Sequence, residues 1–127
     1  MDYKIEYPGP AKCIVVKTAG RMNAGDYIAM AKDILRHPGH LPGGNAIFDH
    51  EALDFSGVKR EDLQEIRAFH LKKEKLIGGG KTAIIVKPGM AVEWHKLWSQ
   101  GKKARVGNRV EVFEDRGKAI DWLNTHI

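Results

Sequence analysis

Three groups of residues have the types and spacing for chemistry. His37-Pro38-Gly39-His40 and the triplet Asp49-His50-Glu51 carry side chains that ligate metal ions. Gly80-Lys81-Thr82 has the form of the end of a phosphate-binding loop. Ser56, in Asp54-Phe55-Ser56-Gly57, is a hydroxyl with Lys59 and Arg60 just downstream, a setting in which a phosphate would meet two cations. What each group can do depends on the elements that position it.

Those elements follow from hydrophobic periodicity. Tyr3 to Tyr7 alternates apolar and charged residues, the pattern of a strand with one wet face, and Pro8-Gly9-Pro10 breaks it. Cys13-Ile14-Val15-Val16 is continuously apolar, as in a strand covered on both sides, and pairs antiparallel with the first. Gly20 to Met22 reads as a turn. Asn23 then caps a helix whose apolar positions run from Ala24 through Tyr27, Ile28, Ala31 and Ile34 to Leu35, and His37-Pro38-Gly39 ends it. Ala46-Ile47-Phe48 is another apolar strand, with Asp49-His50-Glu51 as its polar end. A second helix carries Leu63, Ile66 and Phe69 and stops at Gly78-Gly79-Gly80. Thr82 to Val86 is a strand, Met90 to Gly101 a helix, Val106 to Phe113 a strand, and Ala119 to Leu123 a last helix.

The runs at Cys13, Ala46 and Thr82 belong in the sheet centre, and those at Tyr3 and Val110 at its edges. From the second strand onward each connection holds one helix, so those strands are parallel. The expectation is a single α/β domain over residues 1–127: a five-stranded mixed sheet, antiparallel only at its first strand, with about four helices.

This layout decides the three groups. In a parallel array, loops that follow strands gather at one end, where ligands usually bind. Arg21, Asn23, Asp49, His50, Ser56, Lys59, Arg60, Met90, Glu114, Asp115 and Arg116 fall there. His37 and His40 precede their strand and His50 follows it, so about five extended residues, on the order of 15 Å, keep the pairs from sharing one ion. The histidines read as scattered surface residues, and no metal or cofactor site is expected. The phosphate-loop form fails twice: the signature needs glycine where Lys75 stands, and its glycines must follow a strand rather than precede one. No nucleophile elbow or acid–base pair assembles, so the expected function is non-enzymatic. Ser56, with Asp49, Lys59 and Arg60, is left as a candidate regulatory or interaction site. Met90, Trp94, Leu97 and Trp98 share one helical face; core packing accounts for it, and the same face is the candidate surface for an apolar ligand or a partner.

Composition narrows the classes further. The net charge of +5 permits an acidic partner without requiring one. Lys72, Lys73, Lys75, Lys102, Lys103 and Arg105 make one end basic, but they follow helix ends, where cations complement the dipole, and no aromatic residues are interleaved with them. No nucleic-acid partner is expected. No run approaches the roughly 18 apolar residues of a membrane span, and the first residues lack a signal-like apolar core, so a cytoplasmic protein is expected. The one cysteine, Cys13, sits in an apolar run and reads as a small buried hydrophobe.

Three stretches together carry a family resemblance. They are the strand ending at Asp49 followed by Asp54-Phe55-Ser56-Gly57; Thr82 to Val86 with its tryptophan-bearing helix; and Val110-Glu111-Val112-Phe113 leading to Ala119-Ile120-Asp121-Trp122-Leu123. With these the chain resembles, over nearly its whole length, the SpoIIAA-like group of the STAS superfamily, the fold of anti-sigma-factor antagonists. The resemblance implies a β/α superhelix with helices mainly on one side of a mixed sheet, and a non-enzymatic regulatory or protein-interaction domain. In the antagonists a serine after the central strand is phosphorylated by a partner kinase; Ser56 occupies that neighbourhood, although the antagonists' Asp-Ser-Ser-Gly-Leu box is absent. Some relatives resemble CRAL-TRIO lipid-binding domains, which implies the alternative function of carrying or sensing a small apolar, lipid-like ligand near the tryptophan helix. Self-association as a homodimer, through an edge strand or that helix, is the remaining partner expectation.

Overall fold

A computed structural model describes residues 1–41, 43–77, 80–94 and 109–125. Its strands are β1 (Asp2–Glu6), β2 (Ile14–Arg21), β3 (Ala46–Asp54), β4 (Lys81–Ile85) and β5 (Arg109–Phe113). They form one sheet in the order β1-β2-β3-β4-β5. β1 pairs antiparallel with β2, and every later pair is parallel. The order follows from burial: the continuously apolar runs lie inside, and the alternating ones form the edges. The helices are α1 (Ala24–Arg36), α2 (Arg60–Lys72), the short α3 (Glu74–Ile77) and α4 (Arg116–Leu123); residues 91–94 are also helical.

Both faces of the sheet are covered. On one, Ile14, Val16 and Ile84 pack with Tyr27, Met30 and Ile34 of α1, Ile66 of α2, and Trp94. On the other, Val15, Ile47, Ala83 and Ile85 pack with Ala119 and Leu123 of α4. Cys13 lies in this second core and is fully buried, as a small hydrophobe should be. Among the described residues no helix is long and apolar enough to cross a membrane.

Caps set the helix starts as their residue types dictate. The Asn23 side chain accepts from the Asp26 amide at 2.8 Å, and Asp115 accepts from the Lys118 amide at 3.1 Å. Asp62 reaches back to the Lys59 amide at 2.9 Å at the start of α2.

Several boundaries differ from the sequence expectation. Gly20 is not in a free turn: β2 continues through it to Arg21, with Gly20 at φ +85° and an irregular register between Lys17 and Ala19. A positive φ is cheap only for glycine, which lets the strand bend here without ending. β3 does not stop at the polar triplet but runs four residues beyond His50 to Asp54, because Ala52, Leu53 and Asp54 pair with Ala19, Gly20 and Arg21. The expected helix from Met90 to Gly101 is seen at residues 91–94; Leu97, Trp98, Lys102, Lys103, Arg105 and the start of the Val106 run lie outside the described residues.

Lys81 opens β4 and is buried, at 6% exposure. Its ammonium donates to the carbonyls of Trp122 (3.0 Å) and Thr125 (2.6 Å) and to the Thr125 hydroxyl (2.8 Å), and it lies 5.3 Å from the Trp122 ring centre. The last carbonyls of α4 lack helical donors, and a cation there complements the negative end of the dipole. The lysine of the apparent phosphate loop is therefore a pin between β4 and α4.

Candidate functional site

Alternation along the strands points one set of side chains toward α1 and α2. Ile14 of β2, Ala46 and Phe48 of β3, Thr82 and Ile84 of β4 and Val110 and Val112 of β5 form that floor. Above it, α1 presents Tyr27, Met30 and Ile34, and α2 presents Arg67 and His70. Floor and helices enclose a cavity of about 390 Å³, within the range of roughly 300–1,000 Å³ typical of small-molecule sites. Its innermost walls are Met30, Trp94 and Tyr27, which are 0%, 1% and 5% exposed. Its mouth, at the amino ends of the parallel strands, is formed by Lys12, His40, Leu41 and Gly44.

His50 lies beside this cavity and is the histidine that sequence reasoning placed wrongly. It is a fully buried group and not a surface residue, because β3 continues past it and its parity matches Phe48. Its Nδ1 is 2.7 Å from the Thr18 hydroxyl, and its Nε2 is 3.3 Å from the Tyr27 hydroxyl. The Thr18 hydroxyl donates to the Asp49 carbonyl at 3.2 Å, so its oxygen accepts from Nδ1–H and leaves Nε2 to accept from Tyr27. Rings of Trp94, Phe48 and Tyr27 pack around it, with centroids 5.2, 5.6 and 5.9 Å away. This apolar enclosure strips water from the charged form and lowers the His50 pKa to about 3, while burial raises that of Tyr27. The imidazole is neutral at physiological pH and serves as a hydrogen-bonded core residue.

At the carboxyl ends of the strands, a second depression is lined by His50, Leu53, Asp54, Phe55, Ser56, Lys87 and Met90. Two predicted site residues, Ser56 and Met90, meet here. Ser56 is exposed in the turn after β3, and its amide donates to Asp54 at 2.9 Å. Hydrogen bonds from the Ser56 hydroxyl and amide, with Arg21 and Lys87 nearby, hold the Asp54 carboxyl below its usual range. Glu114 accepts from the amides of Gly89 (2.9 Å) and Ala91 (3.0 Å), which fixes the turn carrying Met90 and keeps the Glu114 carboxyl acidic.

The other predicted site residues are dispersed. Asp49 points away from His50 along the pleat, and its carboxylate accepts from the Glu51 amide at 3.2 Å. Lys59 precedes α2 and Arg60 begins it; both are exposed and line neither hollow. Met90 and Trp94 do not share one site: Met90 lines the depression, whereas Trp94 closes the inner end of the cavity. His37 and His40 are used locally, Nδ1 of His37 accepting from the Gly39 amide at 3.0 Å and Nε2 of His40 donating to the Leu76 carbonyl at 2.8 Å.

Sequence reasoning missed Arg67 and His70. Burial lowers the pKa of each. The available signal was weak: on a helix with Leu63 and Ile66 inward, positions 67 and 70 follow on the same face.

No family model and no curated protein matches the chain. A solved structure does: an uncharacterized protein of the DUF3478 family, with a SpoIIAA-like fold, from Shewanella loihica PV-4. It is 24% identical in sequence, with a TM-score of 0.62 over 96% of this chain and 92% of that one. Topology and comparison agree, and the chain has the SpoIIAA-like, STAS-type fold.

Proposed function

We propose that this chain is a cytoplasmic, non-enzymatic carrier or sensor of a small apolar ligand, held between α1, α2 and the sheet. The observation that supports this reading is the cavity of about 390 Å³ walled by Tyr27, Met30, Phe48 and Trp94. A core without a ligand role would gain by filling such a space, since packing normally leaves few voids larger than a water. The site differs from the one expected on the tryptophan helix: of the predicted face only Trp94 contributes among the described residues. Native mass spectrometry of the purified protein is expected to show a bound lipid-like mass. Ala31→Trp, which places an indole in the cavity from α1, should remove it while leaving the far-ultraviolet circular dichroism unchanged. A wild-type protein that stays free of ligand when offered medium-chain amphiphiles would overturn the reading.

A second reading, a STAS-type regulatory domain with a protein partner or a second copy of itself, is supported by the exposure of Ser56 between Asp54, Lys87 and Met90. A phosphate on Ser56 would face Arg21 and Lys87 but also the Asp54 carboxylate. Intact-mass analysis of protein from its native cells should then show a species heavier by one phosphate that Ser56→Ala abolishes. An unmodified serine under all growth conditions tried would sink this reading.

A further inference from the structure

We propose that the end of the domain around the cavity mouth docks on an anionic lipid bilayer, with Leu41 and Leu76 entering the headgroup layer and nearby lysines meeting lipid phosphates. The inference goes beyond the carrier reading: it stands on surface exposure and charge, and its test does not require the cavity to be filled.

The exposed apolar side chains are not scattered. Among the described residues, the large hydrophobic side chains left exposed are Tyr7, Leu41, Leu71, Leu76, Val92 and Val110. Chain direction puts the first four at one end. Tyr7 follows β1, which runs antiparallel to β2, and Leu41 precedes β3. Leu71 lies in the last turn of α2, and Leu76 lies in α3, just before β4. All four therefore stand at the amino ends of the parallel strands, and Tyr7 and Leu41 also line the cavity that opens there. Nε2 of His40 donates to the Leu76 carbonyl at 2.8 Å, which ties α3 to the loop carrying Leu41. Leu41 is 67% exposed and Leu76 49%. A single exposed leucine needs no explanation, but a cluster around one opening marks a surface that another body covers.

The charge around this patch identifies the body. Lys12, Arg36, Lys72 and Lys75 are exposed at the same end, and Lys73 is half-buried there. Glu6 pairs with Lys4 and Lys17, and Asp33 with Arg36 and Tyr3. On the side of the sheet that carries α1 and α2, Glu74 then stands against Lys12, Lys72, Lys73 and Lys75 among the described residues. Leucines set among lysines suit a bilayer interface, where apolar side chains insert and cations meet phosphates. A second copy of this face would set lysines against lysines, which disfavours self-association through it. A mouth held against a bilayer would also let an apolar occupant enter without crossing water.

Co-sedimentation of the full chain with vesicles tests the inference, comparing phosphatidylcholine alone with equal parts phosphatidylcholine and phosphatidylglycerol. In low-salt buffer the partition coefficient should be about tenfold higher on the anionic vesicles and should fall as salt is raised. Leu41→Asp combined with Leu76→Asp should lower it about tenfold, and so should Lys72→Glu combined with Lys75→Glu. Val92→Asp, at the opposite end of the sheet, should bind as wild type does. Equal binding to both vesicle types would overturn the inference. Binding indifferent to the leucine pair would be charge attraction alone and would also overturn it. An equal loss in Val92→Asp would place the contact elsewhere, with the same consequence. Dimerisation that Leu41→Asp abolishes, without vesicle binding, would assign the face to a second copy instead. The substituted side chains are exposed, so the fold should survive, and circular dichroism checks this. If a variant does unfold, the comparison of vesicles with wild type still decides. Failure here leaves the carrier reading standing, because ligand uptake from solution is measured separately.

Discussion

Acidification from pH 6 to pH 4.5 is expected to remove about 2 kcal/mol of folding stability through His50 alone, at about 1.36 kcal/mol per pH unit. The folded imidazole has a pKa lowered to about 3 by burial, against the ordinary value of 6.5. Above pH 6.5 both folded and unfolded states hold it neutral, and it contributes no pH dependence. Below pH 6.5 the unfolded chain takes up a proton that the folded chain refuses, so stability falls as pH falls. The loss continues to about pH 3 and totals about 4–5 kcal/mol. The upper part of this window is diagnostic. Asp26, Asp54 and Glu114 have pKa values held below the ordinary carboxylate range, so they add a loss of the same sign, mainly below this window and equal in wild type and variant. His70, also lowered by burial, adds a loss of the same sign in wild type and variant alike. Urea unfolding at a series of pH values should therefore give a shallower dependence for His50→Phe by nearly one proton. Equal slopes in the two proteins would refute the buried, neutral assignment. If the variant is too unstable to measure, the ring proton resonances of His50 in the wild type should show no titration between pH 7 and pH 4.5.

Replacing Lys81 with methionine is expected to lower stability by about 3 kcal/mol and to loosen α4 first. The change removes charge-assisted hydrogen bonds, worth about 1.5–3 kcal/mol each when intact, although the Trp122 carbonyl keeps the Thr125 amide (3.2 Å) and hydroxyl (2.6 Å) as donors. Methionine keeps the apolar stem, so lost packing does not explain the deficit. Hydrogen exchange localises the effect: amides of residues 119–123 should lose protection in the variant while those of α1 keep theirs. Uniform loss across the chain, or a change below about 0.5 kcal/mol, would show that Lys81 does not pin the helix.

How far the sequence alone could go is visible element by element. Periodicity was sufficient for the sheet order, the one antiparallel pair and the faces of α1 and α2, because alternation and helical spacing report directly which side of an element meets a core. It failed at Asp49-His50-Glu51, where three polar residues look like the end of a strand. The continuation to Asp54 is dictated by pairing with β2, a partner some thirty residues away in sequence. The same limit explains Ser56 and Met90, which alternation placed at the correct end of the sheet but whose meeting in one depression depends on turns.

Ser56, Lys81 and the histidines were the residues whose chemistry opened the question. The sequence by itself determined the SpoIIAA-like architecture, the burial of Cys13 and the failure of the phosphate-loop signature, since each depends on local pattern and chain order. Only the tertiary structure decided that His50 is a desolvated core residue, that Lys81 clamps α4, and that Arg67 and His70 stand over an apolar cavity. Those outcomes depend on which groups lose water together, and desolvation is a property of the assembled layers rather than of any run of residues.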